Sequence, residues 1–188
     1  MAQLIHFEER AVARLRERLG RVEEANDDLI AFARGHSDAV ASIHAAVLAA
    51  VEADSIEAML EIVTCDWPAI LGVDSAAIAI LVGDCGFRAD SSGIERVEAP
   101  FVERMIAGLD PVEVRSVSAG HPLFGTPGAG RIRAEALIRI DSGEPYPCGI
   151  LALGQETELA MDSGHGSELL LFLGRVIAAT FRRCISSR

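Results

Sequence analysis

Long hydrophobic runs are the first thing this 188-residue sequence lacks. The two longest, 76-AAIAILV-82 and 169-LLLFL-173, fall far short of the roughly 20 residues that a membrane-spanning helix needs. The opening MAQLIHFEERAV has no apolar stretch of signal-peptide length, so a soluble, cytoplasmic protein without a membrane partner is expected. Basic charge is also scarce. Against 28 Asp+Glu stand 17 Lys+Arg, a net −11, which argues against nucleic acid as a partner because that would require a concentrated basic face. The one basic cluster, 10-RAVARLRERLGR-21, is interrupted by Glu17 and followed by the acidic stretch Glu23 to Asp28, so it reads as a solvated helix face. Four cysteines, at 65, 85, 148 and 184, form no CxxC and no repeated spacing, unlike a disulfide framework or a zinc site. His36 and His44, eight residues apart, offer no chelating pair, and neither a metal nor a cofactor is expected.

What is present is an apolar half: 50% of the residues are hydrophobic and 24% charged, enough for one ordinary core with an extended arm. The arm is legible at the N-terminus. Alternate steps of three and four from Val12 reach Leu15, Leu19, Val22, Asn26, Leu29, Ala33, His36, Val40, Ile43, Val47 and Ala50. That is the a/d seam of a coiled coil, and its 3.5-residue period favours a left-handed supercoil with a partner. Asn26 falls at an a position, where an amide costs stability yet pairs best with its own copy in a parallel, in-register dimer. The expectation is a homodimer through Val12, Leu15, Leu19, Val22, Asn26 and Leu29, with 1–37 as a helical segment and 38–188 as the domain; a lone amphipathic helix is the alternative. Gly35, followed by Ser37 and Asp38 as N-cap types, marks where that helix would break.

Beyond it, Asp54 and Glu57 form a capping pair for a helix over 55–67, which Pro68 must kink or end. Strand texture follows in 75-SAAIAILVG-83, with 84-DCGFRADSSG-93 as a turn leading to a second strand. Phe101, Met105 and Leu109 have helical spacing; strands are predicted around 112–117, 133–140 and 148–154, and a closing helix over 167–184. Strands joined by turns imply an antiparallel sheet with helices on its faces, hence an α+β domain.

This order of elements resembles a GAF domain and, more narrowly, the bacterial family known as domain of unknown function 484. The residues that carry the resemblance are 29-LIAFARGHSDAVASIHAAVLAAVEADSIEAML-60, Phe124-Gly125, 134-AEALIRI-140, 149-GILALG-154 and the terminal LLLFLGRVIAATFRRC. Met161 stands where that pattern leads one to expect a phenylalanine before the closing helix. The resemblance implies a GAF-like fold behind a long N-terminal coiled-coil helix, and a regulatory or signalling module rather than an enzyme. It also supplies the alternative, because GAF domains include the free methionine sulfoxide reductase, which works with clustered redox cysteines. A third reading is a coiled-coil adaptor for another protein.

No catalytic constellation emerges. The loop 125-GTPGAGR-131 lacks the lysine and following Ser/Thr of a phosphate-binding loop and reads as a surface loop. His121 and Cys148 merely co-occur as a base and a thiol. The strand 133-RAEALIRI-140 says more: Ala134, Ala136, Ile138 and Ile140 face one way, and Arg133, Glu135, Leu137 and Arg139 the other. In a GAF-like fold the second face floors a ligand cavity, so Glu135 and Arg139, with His121 and the apolar Phe101, Met105 and Phe124, are candidates to line a pocket for a small molecule of unspecified kind. The competing reading is a solvated Glu/Arg face of little energetic weight.

Overall fold

The computed structural model describes residues 20, 21, 23, 37–157 and 166–186. The seam positions Val12, Leu15, Leu19, Val22, Asn26 and Leu29 lie outside the described residues, as do Gly35 and Met161. The chain divides into two units, Met1–Ala41 and Ser42–Arg188. In the first, Gly20, Arg21 and Glu23 are helical and exposed, and 37–41 are helical.

The second unit opens with helix α1 (42–52), whose Ile43, Ala46 and Ala50 are buried in the core of the unit and whose Val47 packs against it. The last positions of the heptad seam are therefore used within the domain, not offered to a partner. Helix α2 (Ile56–Glu61) starts at Ser55, whose hydroxyl accepts from the Ala58 N–H at 3.0 Å. Ser55, rather than Asp54, is the cap. A π-helical turn, Ile62–Asp66, carries the chain into α3 (Trp67–Leu71), so Pro68 neither ends nor breaks the helix. The wide turn gives its ring room, and the Thr64 hydroxyl donates to the Leu60 carbonyl at 2.9 Å. Trp67, fully buried, donates its indole N–H to the Ala46 carbonyl at 3.2 Å and so ties α3 to α1. Gly72, at φ 67, closes α3 in the left-handed region.

Six strands then build one sheet: β1 (Ser75–Val82), β2 (Cys85–Asp90), β3 (Gly93–Val97), β4 (Val112–Ser116), β5 (Ala134–Asp141) and β6 (Cys148–Gln155). Their order is β3-β2-β1-β6-β5-β4, and every neighbouring pair is antiparallel. Helix α4 (Ala99–Ile106) links β3 to β4. The connection from β4 to β5 contains a 3-10 turn, Pro122–Phe124, and a short helix α5 (Gly125–Ala129), where the sequence suggested only a loop. Helix α6 (Gly166–Ser186) closes the chain. The α+β architecture is thus the one expected.

The alternation of β5 divides two cores. On one face Ile78, Ile80, Ile138, Ile140 and Leu151 meet α1, α2, α3 and α6 through Trp67, Ile177 and Phe181. On the other, Ala77, Ala79, Leu137, Ile150 and Ala152 meet α4 and the 3-10 turn. Helix α6 approaches β5 closely because of Gly174, whose missing Cβ would stand 2.8 Å from Ile138 Cγ2. Among the described residues no helix is long and apolar enough to cross a membrane.

Candidate functional site

The site grows from the small residues of the second face. Ala77, Ala79, Ala152 and Gly154 leave a shallow floor on β1 and β6. Leu123, Phe124 and Ile132 descend onto it, and all three are buried. A Cβ at Gly154 would stand 2.7 Å from Ile132 Cδ1 and 2.9 Å from Phe124 Cζ, so the absence of a side chain there is what seats the loop. Val102 of α4 is fully buried beside them, with Phe101 and Met105 packed partly buried against the same cluster. The floor that the sequence suggested for a ligand is thus covered by the chain's own apolar side chains.

Polar clamps hold this cover. The side chain of Glu135 is 0% exposed, and its Oε1 accepts from Arg115, directly across on β4, at 2.8 Å. Its Oε2 accepts the His121 backbone N–H at 2.6 Å. Both carboxylate oxygens are engaged, which is the condition for keeping a charge buried. His121 in turn accepts the Leu123 N–H on Nδ1 at 3.2 Å and caps the 3-10 turn. Burial holds the His121 pKa below its usual value, and Arg115 reinforces this, against the opposing pull of Glu135 and Glu113. A second clamp is Arg88 on β2, which donates Nε–H to the Leu123 carbonyl at 3.0 Å and pairs with Asp90 at 2.5 Å and Glu95 at 2.7 Å. Burial raises the Asp90 carboxyl, but hydrogen bonds from Ser92 and the charge of Arg88 outweigh it and leave its pKa lowered. Arg133 adds a third hold, donating to the carbonyls of Ser118 and Gly130 at 3.2 and 2.9 Å.

Of the six pocket candidates, Glu135, His121, Phe124, Phe101 and Met105 gather around this face. Arg139 does not join them. It is exposed, its N–H donates to the Pro111 carbonyl at 3.1 Å, and with Asp141 and residues of α6 it lines a separate concavity of about 350 Å³ at the sheet edge. Strand β4 begins at Val112, opposite Ile138, so Arg139 lies one residue past that pair and is tied to the Pro111 carbonyl. Sequence reasoning passed over Arg88 and Arg115. Each sits two residues from an acidic partner in a strand, Asp90 and Glu113, on the same face, and that spacing was the available signal.

The thiols do not converge. Glu135 pairs with Gly154, whereas Cys148 begins β6 opposite Asp141, so His121 and Cys148 belong to opposite ends of the sheet, about 20 Å apart at ~3.3 Å per residue. Burial, helped by Asp141, raises the Cys148 thiol pKa above its usual value. Cys65 lies exposed on the π-helical turn, Cys85 on β2 accepts from Arg96 at 3.1 Å, and Cys184 is buried with its thiol toward the Ala53 carbonyl. Among the described residues no group of three or more His, Cys, Asp or Glu is placed to hold a metal ion.

Solved structures share this fold at low sequence identity. Free methionine-R-sulfoxide reductase from Neisseria meningitidis, in complex with its substrate, matches with a TM-score of 0.56 and 13% identity, over 78% of this chain and 89% of that one. The chromophore-binding domain of the bacteriophytochrome RpBphP3 from R. palustris matches with a TM-score of 0.52 and 13% identity, over 78% and 60%. No curated protein matches in sequence. The model of the family described as "Protein of unknown function, DUF484" matches residues 1–186, and the chain belongs to that family.

Proposed function

We propose that this protein is a non-enzymatic signalling or scaffold module that works as a homodimer, a GAF-like domain carried on an N-terminal helical stalk. One observation carries the reading. The sheet face on which a GAF-like domain would hold a small molecule is closed by Leu123, Phe124 and Ile132 and clamped through Glu135 and Arg88, with Cys148 six residues along β6 from the residue that pairs with Glu135. Such a face transmits or scaffolds, because the chain's own apolar side chains fill it. A small molecule would gain that face only by releasing residues 118–130 from their clamps, and the release is the event a signalling module would pass on. The stalk through Val12, Leu15, Leu19, Val22, Asn26 and Leu29 would receive it.

The competing reading is a thiol-based reductase, favoured by the fold likeness to the Neisseria enzyme. Both readings meet one pair of measurements. Light scattering of the full chain should give twice the 20.0 kDa monomer mass. Incubation with free methionine-R-sulfoxide and dithiothreitol should give no turnover above the thiol background. Turnover that disappears on alkylation of the cysteines would replace this proposal with the reductase, and a monomeric mass would remove the homodimer.

A further inference from the structure

Most arginines of the domain are committed to a partner, as Arg88 and Arg115 are to carboxylates and Arg133 and Arg183 to backbone carbonyls. Arg139 and Arg175 are not. Both are exposed, and neither side chain makes a hydrogen bond or ion pair among the described residues. They meet at one place, the concavity of about 350 Å³ between β5 and α6, which Pro111, Asp141, Leu171 and Gly174 also line. Gly174 brings the two arginines together. A Cβ there would stand 2.8 Å from Ile138 Cγ2 and 3.2 Å from the Arg139 carbonyl oxygen, so α6 and β5 approach closely at this point. Arg175 follows directly on Gly174. Asp141 stands two residues after Arg139 on the same strand. Its Oδ1 accepts the Gly143 N–H at 3.0 Å, which fixes the carboxylate, and its Oδ2 has no partner among the described residues. Leu171 and Pro111 supply the apolar part of the lining.

We propose that this concavity binds a small metabolite that carries an oxyanion, carboxylate or phosphate, together with an ammonium or hydroxyl donor. Each group of the site answers one part of such a ligand. A guanidinium offers a planar fork of N–H donors that matches the oxygens of a carboxylate or phosphate, and two forks can hold one oxyanion from two directions. Two arginines against one carboxylate leave the site positive in a chain whose net charge is −11, so a bare cation is a poor occupant. Asp141 works as the selector. It repels an anion that brings nothing else and accepts from one that also brings a donor. The volume lies at the low end of small-molecule sites, which suits an amino acid or a short phosphorylated alcohol rather than a dinucleotide. None of these residues belongs to the 118–130 connection or to its clamps, so binding here does not require that cover to open.

The test is an amide-resolved NMR titration of the full chain with two matched pairs of probes: succinate against free aspartate, and inorganic phosphate against phosphoethanolamine. Within each pair the second probe adds an ammonium group to the same oxyanion chemistry. Saturable shifts are expected at the amides of 139–143 and 171–176, with the ammonium-bearing probe binding tighter. The pair that binds identifies the oxyanion as carboxylate or phosphate. Arg139→Gln and Arg175→Gln should each raise Kd about tenfold. Both side chains are exposed, so melting by circular dichroism should not move. Asp141→Asn should remove the preference for the ammonium-bearing probe while the oxyanion still binds. Absence of saturable shifts with all four probes overturns the site, as do shifts that persist unchanged in both arginine variants. A preference that survives Asp141→Asn overturns the selecting role of Asp141. The titration reads binding alone, so a monomeric mass or reductase turnover would overturn the function proposed above and leave this site standing.

Discussion

The two faces of the sheet are closed by different chemistry. Toward α1, α2, α3 and α6 the strands present Ile78, Ile80, Ile138, Ile140 and Leu151, and the closure is apolar throughout, completed by Trp67 and Phe181. Toward α4 and the 118–130 connection the strands present Ala77, Ala79, Ala152 and Gly154 beside Leu137 and Ile150, and the chain fills the space with Leu123, Phe124 and Ile132. That second closure is held by ion pairs and by backbone groups donating to or accepting from Glu135 and Arg88. An apolar interface of large interlocking side chains fails as a whole. A cover held by a few charged clamps can be released locally while the rest of the fold stays intact. The face with small floor residues and polar clamps is therefore the one that can open locally, and the other is the frame that stays closed.

The largest test of this contrast is Ile138→Ala. Ile138 is fully buried on the apolar face, and a large-to-small change there should cost about 2–5 kcal/mol in global stability by denaturant unfolding. Hydrogen exchange in 118–130 should then change only in step with the whole domain. Next comes Glu135→Ala, which strands the His121 N–H and leaves Arg115 without its buried partner. Breaking such a pair costs up to roughly 3–5 kcal/mol, and the half-exposed Arg115 can recover hydration, so about 2 kcal/mol is expected. Here exchange should accelerate in 118–130 before the sheet is affected; uniform acceleration would mean that the two faces are not independent. The smallest effect is that of pH. The folded state holds His121 below the unfolded value of about 6.5, so the unfolded chain takes up the proton first. The stability contributed by neutral His121 is present above that value and is lost as pH falls through it toward the folded pKa. Protonated Nδ1 can no longer accept the Leu123 N–H, so a small fall in melting temperature between pH 7.5 and 5.5 should shrink in His121→Ala.

Much of the architecture was legible because burial imposes periodicity. The alternation of Ala134 to Ile140 assigned both faces of β5, and the turns between strands implied an antiparallel sheet. The errors have local causes. Asp54 and Ser55 are both capping types in adjacent positions, and only the backbone path decides which hydroxyl or carboxylate reaches an N–H. Pro68 reads as a helix breaker unless a π-helical turn precedes it, and no side-chain pattern announces one. The connection 125-GTPGAGR-131 looks like a surface loop because glycines carry no apolar signal, although Leu123 and Ile132 on either side of it are anchors.

The sequence by itself determined which residues seek burial and which segments curl or extend, since hydrophobic spacing and capping chemistry are properties of neighbours along the chain. It also determined that Glu135 and Leu137 share a strand face. Only the tertiary structure decided what that face meets. Arg115 stands 20 residues before Glu135, and Arg88 donates to a carbonyl 35 residues away, so both clamps depend on strand register rather than on local pattern. Register likewise put Arg139 one residue beyond the first paired residue of β4, and His121 far from Cys148. The heptad seam makes the same point: spacing marks Ile43, Val47 and Ala50 as interface residues, and only the packing of α1 against the sheet settles that the interface is the protein's own core.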